Sequence, residues 1–173
     1  MQFISSDTNV WIDFVTIKKT EIPFRLPYTY IMNRNAVDEE LLSPPGLGQE
    51  LISYGLVPVE ISIEEFFLAE QYGYRYKKLS IHDRIALAIA KSRQIILLTG
   101  DKALRKAAQC EGVSFIGTLG ILDQLWDQQR ITADELRICL QGLLDSNGGA
   151  VRLPESEILS RLESLTKTDN NGE

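Results

Sequence analysis

The chain has 173 residues, 44% of them hydrophobic, and a formal net charge of -6, enough for one well-buried core and short for two ordinary domains. Cys110 and Cys139 have neither CxxC spacing nor a histidine cluster around them, which argues against a disulfide framework or a zinc site and for a reducing compartment. The opening residues lack a basic stretch followed by a long apolar run, and no run of about 18 apolar residues occurs later, so the expectation is a cytoplasmic protein with no plain export signal and no membrane span.

Gln2 to Ser6 reads as a short interior strand ending at Asp7. Helical spacing takes over through Val10, Phe14 and Ile17, with Asp7 or Thr8 as the cap. Tyr28 to Met32 is a second strand, followed by a short helix capped by Asn33 or Asn35 and stopped by Pro44-Pro45-Gly46. A helix over 49–54 leads into a third strand over 56–61. Ser62-Ile-Glu-Glu65 has the form of a capping box and opens a helix expected to end at Gly73. The basic stretch Tyr74-Arg-Tyr-Lys-Lys78 leads to Ser80, and then helix 81–92, strand 95–99, helix 102–111, strand 113–116 and helix 118–129 alternate regularly. Such alternation predicts an α/β fold with a mostly parallel sheet of about five strands covered on both faces. Thr132-Ala-Asp-Glu135 caps another helix, Pro154 starts a last amphipathic one, and the polar residues 166–173 read as a disordered tail. The expected organisation is one domain over 1–165, with 130–165 as a helical extension.

Charge is unevenly placed. Residues 75–106 carry nine bases and two acids, whereas the segments on either side are acidic. A local basic face can hold a phosphate backbone even when the whole molecule is acidic. Tyr72, Tyr74 and Tyr76 interleave with Arg75, Lys77 and Lys78, a combination suited to stacking bases and contacting phosphates. The same residues also fit an ordinary solvated helix surface.

The chemistry centres on carboxylates. In an open parallel sheet, ligands bind beyond the C-terminal strand ends, where Asp7 and Asp101 lie. Asp83 opens the helix preceding the strand that leads to Asp101, and Glu40 ends the helix after the second strand. Two carboxylates about 5 Å apart repel by about 3 kcal/mol at an effective dielectric near 20. If the four converge, protons or a hard cation must offset that repulsion, and an all-oxygen set favours Mg2+ or Mn2+ over zinc. Such a cation suits phosphodiester hydrolysis. Thr99 and Asn9 stand beside Asp101 and Asp7, where they could orient carboxylates or water. Taken singly, Asp101 and Asp83 also fit helix caps, and Glu40, beside Asp38 and Glu39, fits a solvated helix residue. The sole histidine, His82, follows a cap and has no nucleophile motif near it.

Ser6-Asp7-Thr-Asn-Val, Val37-Asp-Glu-Glu40-Leu, Leu79-Ser-Ile-His-Asp83 and Leu97-Leu-Thr-Gly-Asp101-Lys-Ala-Leu-Arg, in that order, resemble PIN-domain ribonucleases. The resemblance is greatest to VapC-type toxins of toxin–antitoxin pairs. Gly112-Val-Ser-Phe-Ile-Gly-Thr-Leu-Gly and Gly149-Ala-Val-Arg-Leu-Pro are similar to the branch with longer C-terminal helices. The resemblance implies a three-layer α/β/α sandwich with Mg2+ or Mn2+ at Asp7, Asp83 and Asp101, and Glu40 completing the catalytic set, with Glu39 as the adjacent competitor for that role. It also implies metal-dependent RNA cleavage, an antitoxin partner and a homodimer. Two other readings share the fold: a protein- or RNA-binding module that does not cut, and a nuclease directed at DNA.

Overall fold

The structure is a computed structural model that describes residues 2–170, with side chains to residue 167. Its contacts divide the chain into two compact units, Met1–Val10 with Pro27–Gly117 and Trp11–Leu26 with Thr118–Glu173.

The first unit holds the sheet. Its strands are β1 (Gln2–Ser6), β2 (Tyr28–Asn33), β3 (Val57–Val59), β4 (Ile96–Leu98) and β5 (Phe115–Ile116). They lie in the order β3-β2-β1-β4-β5, and every pairing is parallel. The connecting helices are α2 (Arg34–Glu40), α3 (Leu47–Tyr54), α4 (Ile63–Arg75), α5 (Ile81–Arg93) and α6 (Lys102–Cys110), and α1 (Thr8–Thr16) starts in this unit. Right-handed crossovers put α2 and α3 on one face of the sheet and α4, α5 and α6 on the other. The result is an α/β/α sandwich.

The register shows how α5 is held. Ser5 pairs with Ile31 on one side and Leu97 on the other, so the three share a face. Ser5 donates its hydroxyl to the Ala86 carbonyl of α5 at 2.9 Å. Ile31 and Leu97 pack there with Ile85, Leu87, Ile89, Leu104 and Tyr72, all buried. Burying each such side chain contributes roughly 1.5–3 kcal/mol, so α5 anchors the sheet and fixes where its first turn emerges. The strand order reverses direction between β1 and β4, and this switch point places Asp7 and Asp101 side by side at the C-terminal edge.

Three local expectations meet a different outcome. α4 continues past Gly73 to Arg75, because Gly73 does not take the left-handed φ of a helix stop and the ladder runs through it, the Tyr76 amide donating to the Tyr72 carbonyl at 2.7 Å. Asn33 holds the N-cap position of α2 without a side-chain capping bond. The last helix, α9 (Glu155–Asn170), runs through residues expected to belong to the polar tail; the end of that tail, 171–173, lies outside the described residues.

The second unit is helical, built from the rest of α1, a 3-10 turn (Ile22–Arg25), α7 (Thr118–Asp127), α8 (Ala133–Asp145) and α9. Buried Trp11 stacks on Phe24, with ring centroids 5.3 Å apart. Arg161 grips Asp123 through two bonds of 2.7 and 2.6 Å, joining α9 to α7. Asp13 is buried and accepts the Thr118 hydroxyl at 2.5 Å.

Candidate metal centre

Asp7 follows β1 directly, and its backbone amide extends the ladder by donating to the Leu98 carbonyl at 2.9 Å. Its side chain is 6% exposed. Oδ1 accepts the Thr8 amide at 2.7 Å and Oδ2 accepts the Thr99 hydroxyl at 2.8 Å. Thr99, fully buried, also accepts the Asp101 amide at 3.1 Å. One hydroxyl thus ties together the ends of two neighbouring strands. The Thr99 carbonyl is held in turn by Arg105 Nε at 3.0 Å, which steadies the β4 end of the edge.

Asp101 is the N-cap of α6, its Oδ1 accepting the Leu104 amide at 2.8 Å. Asp83 is the acidic member of a capping box: its amide donates to Ser80 Oγ at 3.1 Å and its Oδ2 accepts the Ser80 amide at 2.7 Å. Both residues are therefore caps, and both also bear on the same patch of charge. Burial, more than anything else, pushes the Asp83 carboxyl up; Asp101 and Glu40 push the same way, against the two Ser80 bonds. Asp7 is driven further, to about 7, first by burial and then by Asp83, with a smaller push from Glu40 and opposition from the Thr99 and Thr8 bonds.

Glu40 joins this set through Thr8, whose hydroxyl donates to Glu40 Oε2. Glu39 takes another direction, its Oε2 meeting His82 Nε2 at 2.9 Å. The structure thus turns adjacent glutamates to different neighbours. Asn9 is exposed on the first turn of α1 and makes no hydrogen bond to a carboxylate among the described residues. Arg75 is bound to Glu111 Oε1 at 2.5 Å. Lys77 lies over the Tyr74 ring at 5.4 Å, and Lys78 lines a groove beside α6.

Two participants escape a reading of the sequence. Thr8 matters through a partner 32 residues away. Asn33 looks like a cap, yet its Nδ2 donates to the Val59 carbonyl at 3.5 Å and its Oδ1 is buried with no partner among the described residues. It lines a small pocket with Asp7, Thr8, Glu40 and His82.

The chemistry of these donors fits a hard divalent cation: four carboxylates and an unpartnered amide oxygen, without thiolate, where burial and mutual repulsion already disfavour ionisation of Asp7. The fit is one of donor type and charge. Among the described residues, no three His, Cys, Asp or Glu side chains are gathered as a ready ligand cage. Asp7, Asp83 and Asp101, with Glu40, are the side chains that would hold the ion, each needing to turn from or share its present hydrogen bond.

Among the described residues no helix is long and apolar enough to cross a membrane. No match was found among curated proteins or among solved structures. A family model described as the PIN domain matches residues 3–167. With its five parallel strands and acids at the switch point, the chain belongs to the PIN-domain family, whose members are typically nucleases that use divalent metals.

Proposed function

We propose that this PIN domain is a Mg2+- or Mn2+-dependent endoribonuclease that hydrolyses RNA phosphodiester bonds, and that it acts in the cytoplasm as the toxin of a VapC-type toxin–antitoxin pair. The observation that carries the reading is the state of Asp7, a carboxyl pushed up to about 7 by burial and by Asp83, with Glu40 adding to the push. Such an arrangement is unfavourable as a mere set of helix caps, and it is suited to sharing a cation.

In this reading Asp7, Asp83 and Asp101 bind the metal, and Thr99 fixes the orientation of Asp7. A divalent cation, when bound, polarises the scissile phosphate and eases deprotonation of water. Glu40 positions the attacking water and accepts its proton. The water oxygen forms the new bond to phosphorus as the bond to one ribose oxygen breaks; the leaving ribose oxygen takes a proton from solvent and becomes a hydroxyl, and Glu40 returns the proton it accepted to solvent. The net charge of -6 suits a basic antitoxin, and a homodimer belongs to the same proposal.

One observation favours a second reading. Because no three potential ligand side chains are gathered among the described residues, the domain could bind RNA or protein with its acids serving only as caps. Cleavage of a panel of structured and single-stranded RNAs in Mg2+, in Mn2+ and in chelator separates the two. The nuclease reading expects cutting that needs metal and disappears in Asp83→Asn. Absence of cutting across the panel, or cutting unchanged in that variant, overturns it.

A further inference from the structure

Between residues 76–79, which lead into the Ser80 cap, and one face of α6 runs a groove of about 440 Å3. Its lining includes Lys77, Lys78, Lys102 and Lys106, and no acidic residue. Lys102 directly follows Asp101, and Leu79 directly precedes the box that holds Asp83, so both walls start at the acidic edge. Lys102 and Lys106 lie four residues apart on α6, stacked along one helix face about 6 Å apart along its axis. Between the lysines the lining is apolar, with Leu79, Ala103 and Ala107.

Among the described residues Lys78, Lys102 and Lys106 have no ion-pair partner. Arg75, although basic and nearby in sequence, already has its guanidinium on Glu111. Glu111 also accepts the Tyr76 hydroxyl at 2.5 Å. This pins the ring that forms one end of the groove, so the wall is ordered before any ligand arrives. Gathering ammonium groups without acids is unfavourable unless anions collect there, and a polyanion gains by releasing its counterions on binding.

We propose that this groove holds the sugar–phosphate backbone of single-stranded RNA beside the acidic edge, with Lys78, Lys102 and Lys106 contacting successive phosphates and Lys77 steering the strand over Tyr74. This rests on the reading of the domain as one that acts on RNA. A single strand is the occupant because the groove has only the volume of a small-ligand pocket, and a duplex, with its phosphates held on a broad rigid cylinder, cannot enter it.

The test is fluorescence anisotropy of the full chain with a labelled, unstructured 12-nucleotide RNA in chelator, where no metal-dependent cutting occurs, across a range of potassium chloride concentrations. Lys102→Ala with Lys106→Ala should weaken binding at least tenfold at low salt. The slope of log affinity against log salt should fall by about 1.4, at roughly 0.7 per lost phosphate contact. Lys78→Ala alone should lower it by about half as much. Arg152→Ala, an exposed base outside the groove, controls for loss of charge in general, and circular dichroism confirms that the variants fold. Equal binding by wild type and the double lysine variant, an equal loss in Arg152→Ala, stronger binding of the duplex form, or no binding of RNA at all would each overturn the proposal. Failure of the nuclease reading looks different: RNA would still bind in a lysine-dependent way, while wild type with Mn2+ would leave it uncut.

Discussion

The hydroxyl of Thr99 donates to Asp7 Oδ2 at 2.8 Å, and the same oxygen accepts the Asp101 amide at 3.1 Å. Two acids delivered by neighbouring strands are thus coupled through one fully buried side chain. Removal of that oxygen loosens both acids at once.

Thr99→Val keeps the shape and deletes the bonds. It leaves the Asp101 amide without its acceptor and should destabilise the fold by about 1–3 kcal/mol. It should also lower metal affinity or cleavage about 10- to 100-fold, as expected when the support of a ligand is lost. Thr99→Ser should restore most of both. Urea denaturation alongside an RNA cleavage assay checks the pair, and a valine variant with wild-type activity would remove Thr99 from the site.

Glu39 and Glu40 should differ sharply. Glu40 accepts the Thr8 hydroxyl and acts on both Asp7 and Asp83, whereas Glu39 is 65% exposed and meets His82. Glu40→Gln should reduce cleavage by roughly 100-fold or more, the scale of a lost general base. Glu39→Gln removes an exposed pairing worth at most about 1 kcal/mol and should change the rate by no more than about fivefold. Single-turnover rates for the two variants decide between them; the reverse order would move the role to Glu39.

Asp13 gives a pH dependence outside the candidate site. Burial pushes its carboxyl up to about 6 against the opposing Thr118 bond. A carboxyl raised in the folded state binds its proton more tightly there than in the unfolded chain, so the contribution of Asp13 to stability is highest below about pH 4 and is lost as pH rises from about 4 to 6. The loss is about 3 kcal/mol. Asp13→Asn should therefore be more stable than wild type at pH 8, and the advantage should vanish near pH 4. Thermal melts at both values check this; a stability difference that does not change with pH would contradict it.

Local signals were the legible ones. The three capping boxes at Ser62, Ser80 and Thr132 form as their spacing predicts, because cap and partner are three residues apart. Asp7 and Asp101 could be placed together because parallel alternation puts strand ends on one edge. What the sequence does not carry is pairing between distant segments. Nothing near Glu39 and Glu40 says that one meets His82 and the other Thr8, since both partners lie more than 30 residues away. The run from Arg75 to Lys78 reads as uniformly basic until Glu111, 36 residues on, takes up the arginine. Gly73 reads as a helix stop, yet it takes no left-handed φ and the ladder continues through it to Tyr76. Asn33 has a cap's identity and position but turns its amide toward Val59.

A metal centre at the end of β1 is tested most simply by calorimetric titration of the metal-free chain with Mn2+ at pH 7.5, wild type beside Asp7→Asn. If the buried acids share a cation, wild type binds it saturably and releases about a quarter of a proton per ion to the buffer at this pH, rising toward one at pH 6, since Asp7, pushed up to about 7, stays partly protonated until the ion displaces its proton. The variant should bind at least about tenfold more weakly. No saturable binding by wild type at millimolar Mn2+, or equal binding by the two chains, would contradict a metal centre at the end of β1.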